Sequence, residues 1–517
     1  MQQINHLKVV RKKLLLLPLV LLALTLILPL NASPKAHYYY IYVKITTPVE
    51  LKAGTPVVIK VKDLKAAVTR SYDWSTVYVL YGDTLVPSQV DKLGTSEDDY
   101  EIAFELVEDI PAGGSVTYKI LVAEKGYKLP APTYEEVCKV TIVPKYEDMA
   151  ELGTGIVLEN DLIKVVILNE SDWIAGTVFS AIIKKTGYDV VKQGREKGST
   201  GWRWSRYLAE GDPGWAEKNP RFKVLYMSTG PVRAVVVLQS TTPHGQLADV
   251  YAVKKYSVYK GWSYVKLELT VTGPGYKPGT KVPVKASFID LADQGTNHDT
   301  VYVPGVGELS RMQGTSLRKE NLTETWIAVY NKEKLEGFAV IFYPLGNLIK
   351  LEWGSPGAEI VLHYEEGIPI PFYRILVLFD KSVANDSFAY IRTVYSYSTA
   401  DIKVEVVKEE EAKLLPVVVL EGAQKEIESL KSEISSLNNE IKNLKSQLAQ
   451  AQSTIESLNQ EISGYKSKIS ELESEISSLK SSLSTAQSMQ GVLLVVGLVV
   501  GLAIGYFVGA RKKKESK

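Results

Sequence analysis

The chain has a single cysteine, Cys138, in 517 residues. No intrachain disulfide can form, so a core rather than cross-links must stabilise whatever folds here. Only five histidines occur, and none has the Cys/His spacing of a metal site. An excess of one charge is missing too. The 60 basic and 59 acidic side chains leave a formal charge of +1, which argues against nucleic acid as a general partner. There is no GxSxG elbow, no phosphate-binding glycine loop and no HExxH pair. No residue is therefore assigned a catalytic or metal-binding role, and no cofactor is expected. Cys138 itself reads as a small apolar core residue on a strand.

What is present is concentrated at the C-terminal end. From residue 427 an apolar stripe repeats with strict 3-4 spacing over nine heptads. The a positions are Ile427, Ile434, Ile441, Leu448, Ile455, Ile462, Ile469, Ile476 and Leu483. The d positions are Leu430, Leu437, Leu444, Ala451, Leu458, Tyr465, Leu472, Leu479 and Ala486. A lone solvated helix has no use for such a stripe, so partner helices are expected alongside it, in a coiled coil over 423–489. At 1.5 Å per residue the heptads span roughly 95 Å. In a parallel pair, each g residue faces the next e residue of its partner. The pairs Glu426–Lys431, Glu440–Lys445, Glu461–Lys466, Lys468–Glu473 and Glu475–Lys480 all combine opposite charges, which predicts a parallel homo-oligomer. Ile at a with Leu at d favours two strands. The bulk of Tyr465 at d favours a wider core, so dimer and trimer both stay open.

Gly491 to Ala510 carries no charge and is long enough to span a bilayer, and Arg511, Lys512, Lys513 and Lys514 follow at once. The positive-inside rule puts the 511–517 tail in the cytoplasm. Within the span, Gly497, Gly501, Gly505 and Gly509 recur every four residues, a small-residue face for close helix packing. At the other end, Lys8, Arg11, Lys12 and Lys13 precede an apolar run from Leu14 to Leu30, which reads as a secretory signal over 1–33 with an uncleaved signal anchor as the alternative. The chain between would lie outside the cell. Glycosylation sequons fit that side of the membrane; they occur at Asn31, Asn169, Asn321 and Asn385.

The middle of the chain has β texture. Alternating or β-branched runs include Tyr39–Ile45, Val57–Val61, Thr76–Tyr81, Leu162–Leu168, Val232–Leu238, Tyr264–Val271 and Ile375–Phe379. No helical stretch of comparable strength precedes the heptads. A β-sandwich is expected over 38–146 and a larger β domain over 155–408, with Pro416 and Gly422 before the stalk. Two clusters could bear chemistry. Trp202, Trp204 and Trp215 lie in a loop-like stretch with Tyr207, Arg203, Arg206, Glu210 and Asp212. Such rings stack on sugars, and equally they pin a loop to a core. Asp290, Asp293, His298 and Asp299 could hold a metal or move protons, but their spacing matches no metal motif and suits a polar turn.

Two resemblances follow from these residues. The strand Gly155-Ile156-Val157-Leu158-Glu159-Asn160-Asp161-Leu162, then Gly230-Pro231-Val232-Arg233-Ala234-Val235 and Tyr256 to Val271, resembles galactose-mutarotase-like supersandwich domains, which implies a supersandwich fold for the larger domain. The whole layout resembles the membrane-anchoring stalk subunit of crenarchaeal surface layers (S-layers). It rests on the Leu14–Leu30 run, the heptads, the Gly491–Ala510 span and the Arg511–Lys514 stop. That resemblance implies a trimer, a lattice-forming S-layer protein as partner, a glycosylated cell-surface location with one membrane pass, and a role in setting the spacing between lattice and membrane. The alternative is a membrane-tethered carbohydrate-binding or carbohydrate-active protein, of lyase or hydrolase type, using the tryptophan loop.

Overall fold

The computed structural model describes residues 37–144, 154–169, 176–190, 222–241, 249–277, 286–290, 298–311, 313–346, 348–353, 359–365, 369–412 and 417–512; for 286–290, 359–361, 417–429 and 507–512 it describes the backbone alone. The chain divides into two compact units, Met1–Gln424 and Lys425–Lys517. The expected class, a mainly β part followed by a long helix, is what the structure has.

The first unit has two β lobes. In the first lobe a five-stranded sheet has the order Lys403–Glu411, Tyr38–Thr46, Ser115–Glu124, Tyr72–Tyr81, Thr84–Val86. It faces a three-stranded sheet of Pro56–Lys60, Tyr100–Glu105 and Ser88–Lys92. The Tyr38–Thr46 strand shows why. Its odd-numbered residues Tyr39, Ile41, Val43 and Ile45 are buried while their neighbours are half exposed, the period-2 pattern of a strand with one wet face. Together with Ile59, Ile102, Phe104 and Tyr118 they form the lobe's core. Each fully buried aliphatic side chain contributes about 1.5–3 kcal/mol.

The second lobe is built on a nine-stranded antiparallel sheet running from Phe222–Ser228 at one edge to Gly307–Ser310 at the other. One core cluster joins it to a five-stranded sheet, through Ile156, Ile163 and Val165, and to a four-stranded sheet, through Leu351, Trp353 and Leu362. The opposite face packs Trp326, Tyr330, Ile341 and Ile375 against Ile391 and Val394 of the helix Ser387–Thr399. A sheet covered on both faces needs continuous apolar strands, and Arg233–Ser240 (RAVVVLQS) is one. Gly337 sits opposite Tyr330, and a Cβ there would fall 2.2 Å from the Val329 carbonyl oxygen, so only glycine allows this strand spacing.

Both expected domain limits shift. Lys139–Val143, expected to end the first sandwich, pairs with Gly155–Glu159 in the second lobe. Lys403–Glu411, mostly expected in the second domain, pairs with Tyr38–Thr46 in the first lobe. Glu409 fixes it there by accepting from the Tyr72 hydroxyl and the Thr69 amide, both at 2.6 Å. The helix Ser387–Thr399, absent from the sequence expectation, starts at Asp386, whose carboxylate accepts from the Ala389 amide. Cys138 is buried, as expected, though it forms an isolated bridge to Gly230 rather than lying within a regular strand.

The second unit is helical. One helix of 96 residues runs unbroken from Val417 to Lys512, about 144 Å at 1.5 Å per residue. It begins before Gly422 and does not stop between the heptads and the apolar stretch.

Candidate functional site: an exposed seam and an apolar span

Leu, Glu, Lys and Gln, all good helix formers, recur along the helix, although serine is its commonest residue. The heptad stripe lies along it unpartnered within the chain. From Leu430 to Leu483 the large a and d side chains are 49–66% exposed, with Tyr465 and Leu479 at the upper end. Ile427 lies on the helix, with its side chain outside the described residues. This is a continuous exposed apolar seam rather than scattered single residues. Further along, Val492 to Tyr506 is exposed throughout. This is the one helix among the described residues that is long and apolar enough to cross a membrane. Gly497, Gly501 and Gly505 have open space where a Cβ would stand, so a second helix could approach there closely; Gly509 continues the series on the same helix.

Among the sequons, Asn321 and Asn385 are exposed, whereas Asn169 is half-buried with its Oδ1 enclosed. Asn31, the 1–33 segment, Trp202, Trp204, Trp215, Asp293, Lys513 and Lys514 lie outside the described residues, as does the side chain of Asp290.

The other two members of the acidic cluster part company. His298 is fully buried, hydrogen-bonded through Nε2 to the Tyr188 hydroxyl and edge-on to Phe338. Asp299 turns outward and accepts from the Lys332 amide at 3.1 Å and the Thr300 hydroxyl at 2.8 Å. Adjacent residues on an extended chain point to opposite sides, so the pair cannot share a ligand. No group of three potential metal ligands exists among the described residues. His363 pairs with Glu352 at 2.6 Å.

A second site went unseen in the sequence: a charge network buried where the two β lobes meet. Arg233 reaches Asp91 at 2.6 Å and Glu101 at 2.6 Å, with all three side chains nearly or fully buried. Lys255 bridges Glu101 at 2.8 Å and Glu268 at 2.6 Å. Gln89 backs the network, accepting from the amides of Val232 and Arg233 and donating to Asp91. Burial works to raise the Glu101 pKa, but Arg233 and Lys255 outweigh it and hold the carboxyl well below the usual carboxylate range. Burial likewise opposes the charge on Arg233, and Asp91 and Glu101 reverse it. The strands themselves carried a signal. Lys266 and Glu268 alternate with buried Val265, Leu267 and Leu269, but such alternation reads equally as a solvated face. Cys138 lies near this junction, where burial pushes its thiol up to about 12. That keeps it a thiol, with Sγ directed at the Val232 carbonyl.

No family model matches the chain, and no curated protein matches it in sequence. Among solved structures, a glycosyl hydrolase family 38 protein from Enterococcus faecalis aligns with a TM-score of 0.41 and 12% identity over 73% of this chain and 48% of its own. An alpha-mannosidase from Enterococcus faecalis aligns with a TM-score of 0.42 and 11% identity over 73% and 47%. A Synechocystis protein aligns with a TM-score of 0.26 and 9% identity over 49% and 99%. The chain spans about half the length of the two Enterococcus proteins. Likenesses of this size assign no activity.

Proposed function

We propose that this protein is a structural spacer of the cell surface. Its helices assemble in parallel through the heptad seam, its apolar segment anchors the assembly in the membrane, and its β unit binds a lattice-forming surface protein at a set height. The observation that carries this is the unbroken helix Val417–Lys512, which places an exposed a/d seam and an apolar span in one element. Continuity matters mechanically. A seam joined to a span by a loop would set no distance, whereas a continuous helix fixes about 1.5 Å for every residue. The opposite charges at g and e favour in-register, parallel chains, and the basic residues 511–514 favour an outward β unit. An enzyme needs no such ruler.

Cryo-electron tomography of native envelopes, with abundance measured by mass spectrometry of the same material, tests the proposal. Regular stalks running from the membrane to a crystalline layer, with this chain a major component, are the expected result. Sparse copies without a lattice would overturn it. Sedimentation equilibrium of the purified chain in detergent counts the strands, two or three.

A further inference from the structure

We propose that the cavity between the two β lobes binds one small oxyanion, a sulfate-type or carboxylate group, held by Lys266 and Lys60. The cavity has a volume of about 160 Å³ and is walled by Lys60 and Glu101 from the first lobe and by Arg233, Lys255, Lys266 and Glu268 from the nine-stranded sheet. At about 30 Å³ per water it has room for roughly five waters, or one such group with a water or two.

The charges on its walls, taken with Asp91, the partner of Arg233 off the lining, are unequal. Asp91, Glu101 and Glu268 are already engaged by Arg233 and Lys255 at 2.6–2.8 Å. Lys266 and Lys60 have no carboxylate within the 4.0 Å of an ion pair among the described residues. The cluster thus holds four cations, Lys60, Arg233, Lys255 and Lys266, against three carboxylates. One positive charge is left over at the cavity. Lys266 is also positioned. Its ammonium lies 5.0 Å from the centre of the Tyr373 ring, which is itself stacked on Tyr343 at 4.8 Å. Ser257, which faces Lys266 across the strand pair, adds a hydroxyl to the same wall. An anion completes this set: it neutralises the surplus charge and accepts from ammonium groups on both lobes. A neutral ligand would meet ion pairs already closed among themselves.

Equilibrium dialysis of the full-length protein in detergent against radiolabelled sulfate, at low ionic strength, tests this. One saturable site per chain is expected. Losing one charge-assisted contact should weaken it about tenfold or more in Lys266→Gln, and several-fold in the exposed Lys60→Gln. Lys266→Arg, which keeps the charge, should retain most of the affinity and controls for folding. Absence of saturable binding in the unaltered protein, or binding unchanged in both Lys60→Gln and Lys266→Gln, would overturn the assignment. Displacement by glucose 6-sulfate at lower concentration than by inorganic sulfate would support the acid group of a surface sugar as ligand. The reverse order would support the free ion.

Discussion

Removing residues 446–459 deletes fourteen residues, two whole heptads, from the middle of the helix and keeps all five g/e charge pairs. The stalk shortens by about 21 Å at 1.5 Å per residue. The seam loses Leu448, Ala451, Ile455 and Leu458, whose large members are 51–61% exposed in the single chain. At about 1.5–3 kcal/mol for each large side chain, some 5–9 kcal/mol per chain of burial goes, and the remaining seam stays continuous. A twelve-residue deletion, 446–457, removes Leu448, Ala451 and Ile455 but turns the two halves of the seam out of line by about 150°, since at about 3.5 residues per turn each residue turns a coiled-coil helix by about 103°. The first variant should keep its strand number in sedimentation equilibrium and bring the lattice about 21 Å closer to the membrane in tomograms of envelopes carrying it. The second should dissociate or form mixed species. Equal behaviour of the two variants would refute the seam. An unchanged gap in the first would refute the spacer.

Four further outcomes are expected. Arg233→Ala leaves Asp91 and Glu101 buried without their guanidinium and should lower the unfolding free energy by about 3–5 kcal/mol in urea titrations. Glu101 has its folded pKa depressed, so its contribution is full above the ordinary carboxylate range and is lost as pH falls through the folded value. The urea midpoint should therefore drop on acidification below about pH 4, and drop less in Glu101→Gln. Cys138, buried and pushed up to about 12, should resist thiol reagents at pH 8 in the folded protein and react fully in denaturant. Mass spectrometry of Asn321→Gln and Asn385→Gln should each show the loss of one glycan, while Asn169→Gln, at the half-buried sequon, should show none.

The parts legible in the sequence are those whose signal is local. A heptad seam repeats within seven residues, and the period-2 burial of Tyr38–Thr46 is written in nine. Strand partners are not local. Val140 and Val404 alternate as strand residues in either lobe, and only pairing decides; the bond that seats Glu409 on Tyr72 spans 337 positions. The helix Ser387–Thr399 hid because Phe, Tyr, Ile, Val and Thr favour strands by propensity. Its helical form rests on the Asp386 cap and on Ile391 and Val394, three apart, buried against a sheet that the local sequence does not contain.

The charge network shows the same limit most sharply. Lys255, Lys266 and Glu268 stand on alternate strand positions, as solvated residues do. What meets them comes from another lobe: Glu101, which accepts from Lys255, lies 154 residues earlier in the chain. Buried pairs of this kind add little net stability against an apolar equivalent, but breaking one is costly. They therefore fix how two surfaces meet more than how tightly. Apolar faces of two β lobes could slide over one another, whereas Arg233 between Asp91 and Glu101 admits one arrangement. In the proposed spacer role, the β unit would need that fixed arrangement within itself, just as the helix would need its register. If so, loosening the junction by Arg233→Ala should blur lattice order in tomograms while leaving the mean gap, set by the helix, unchanged.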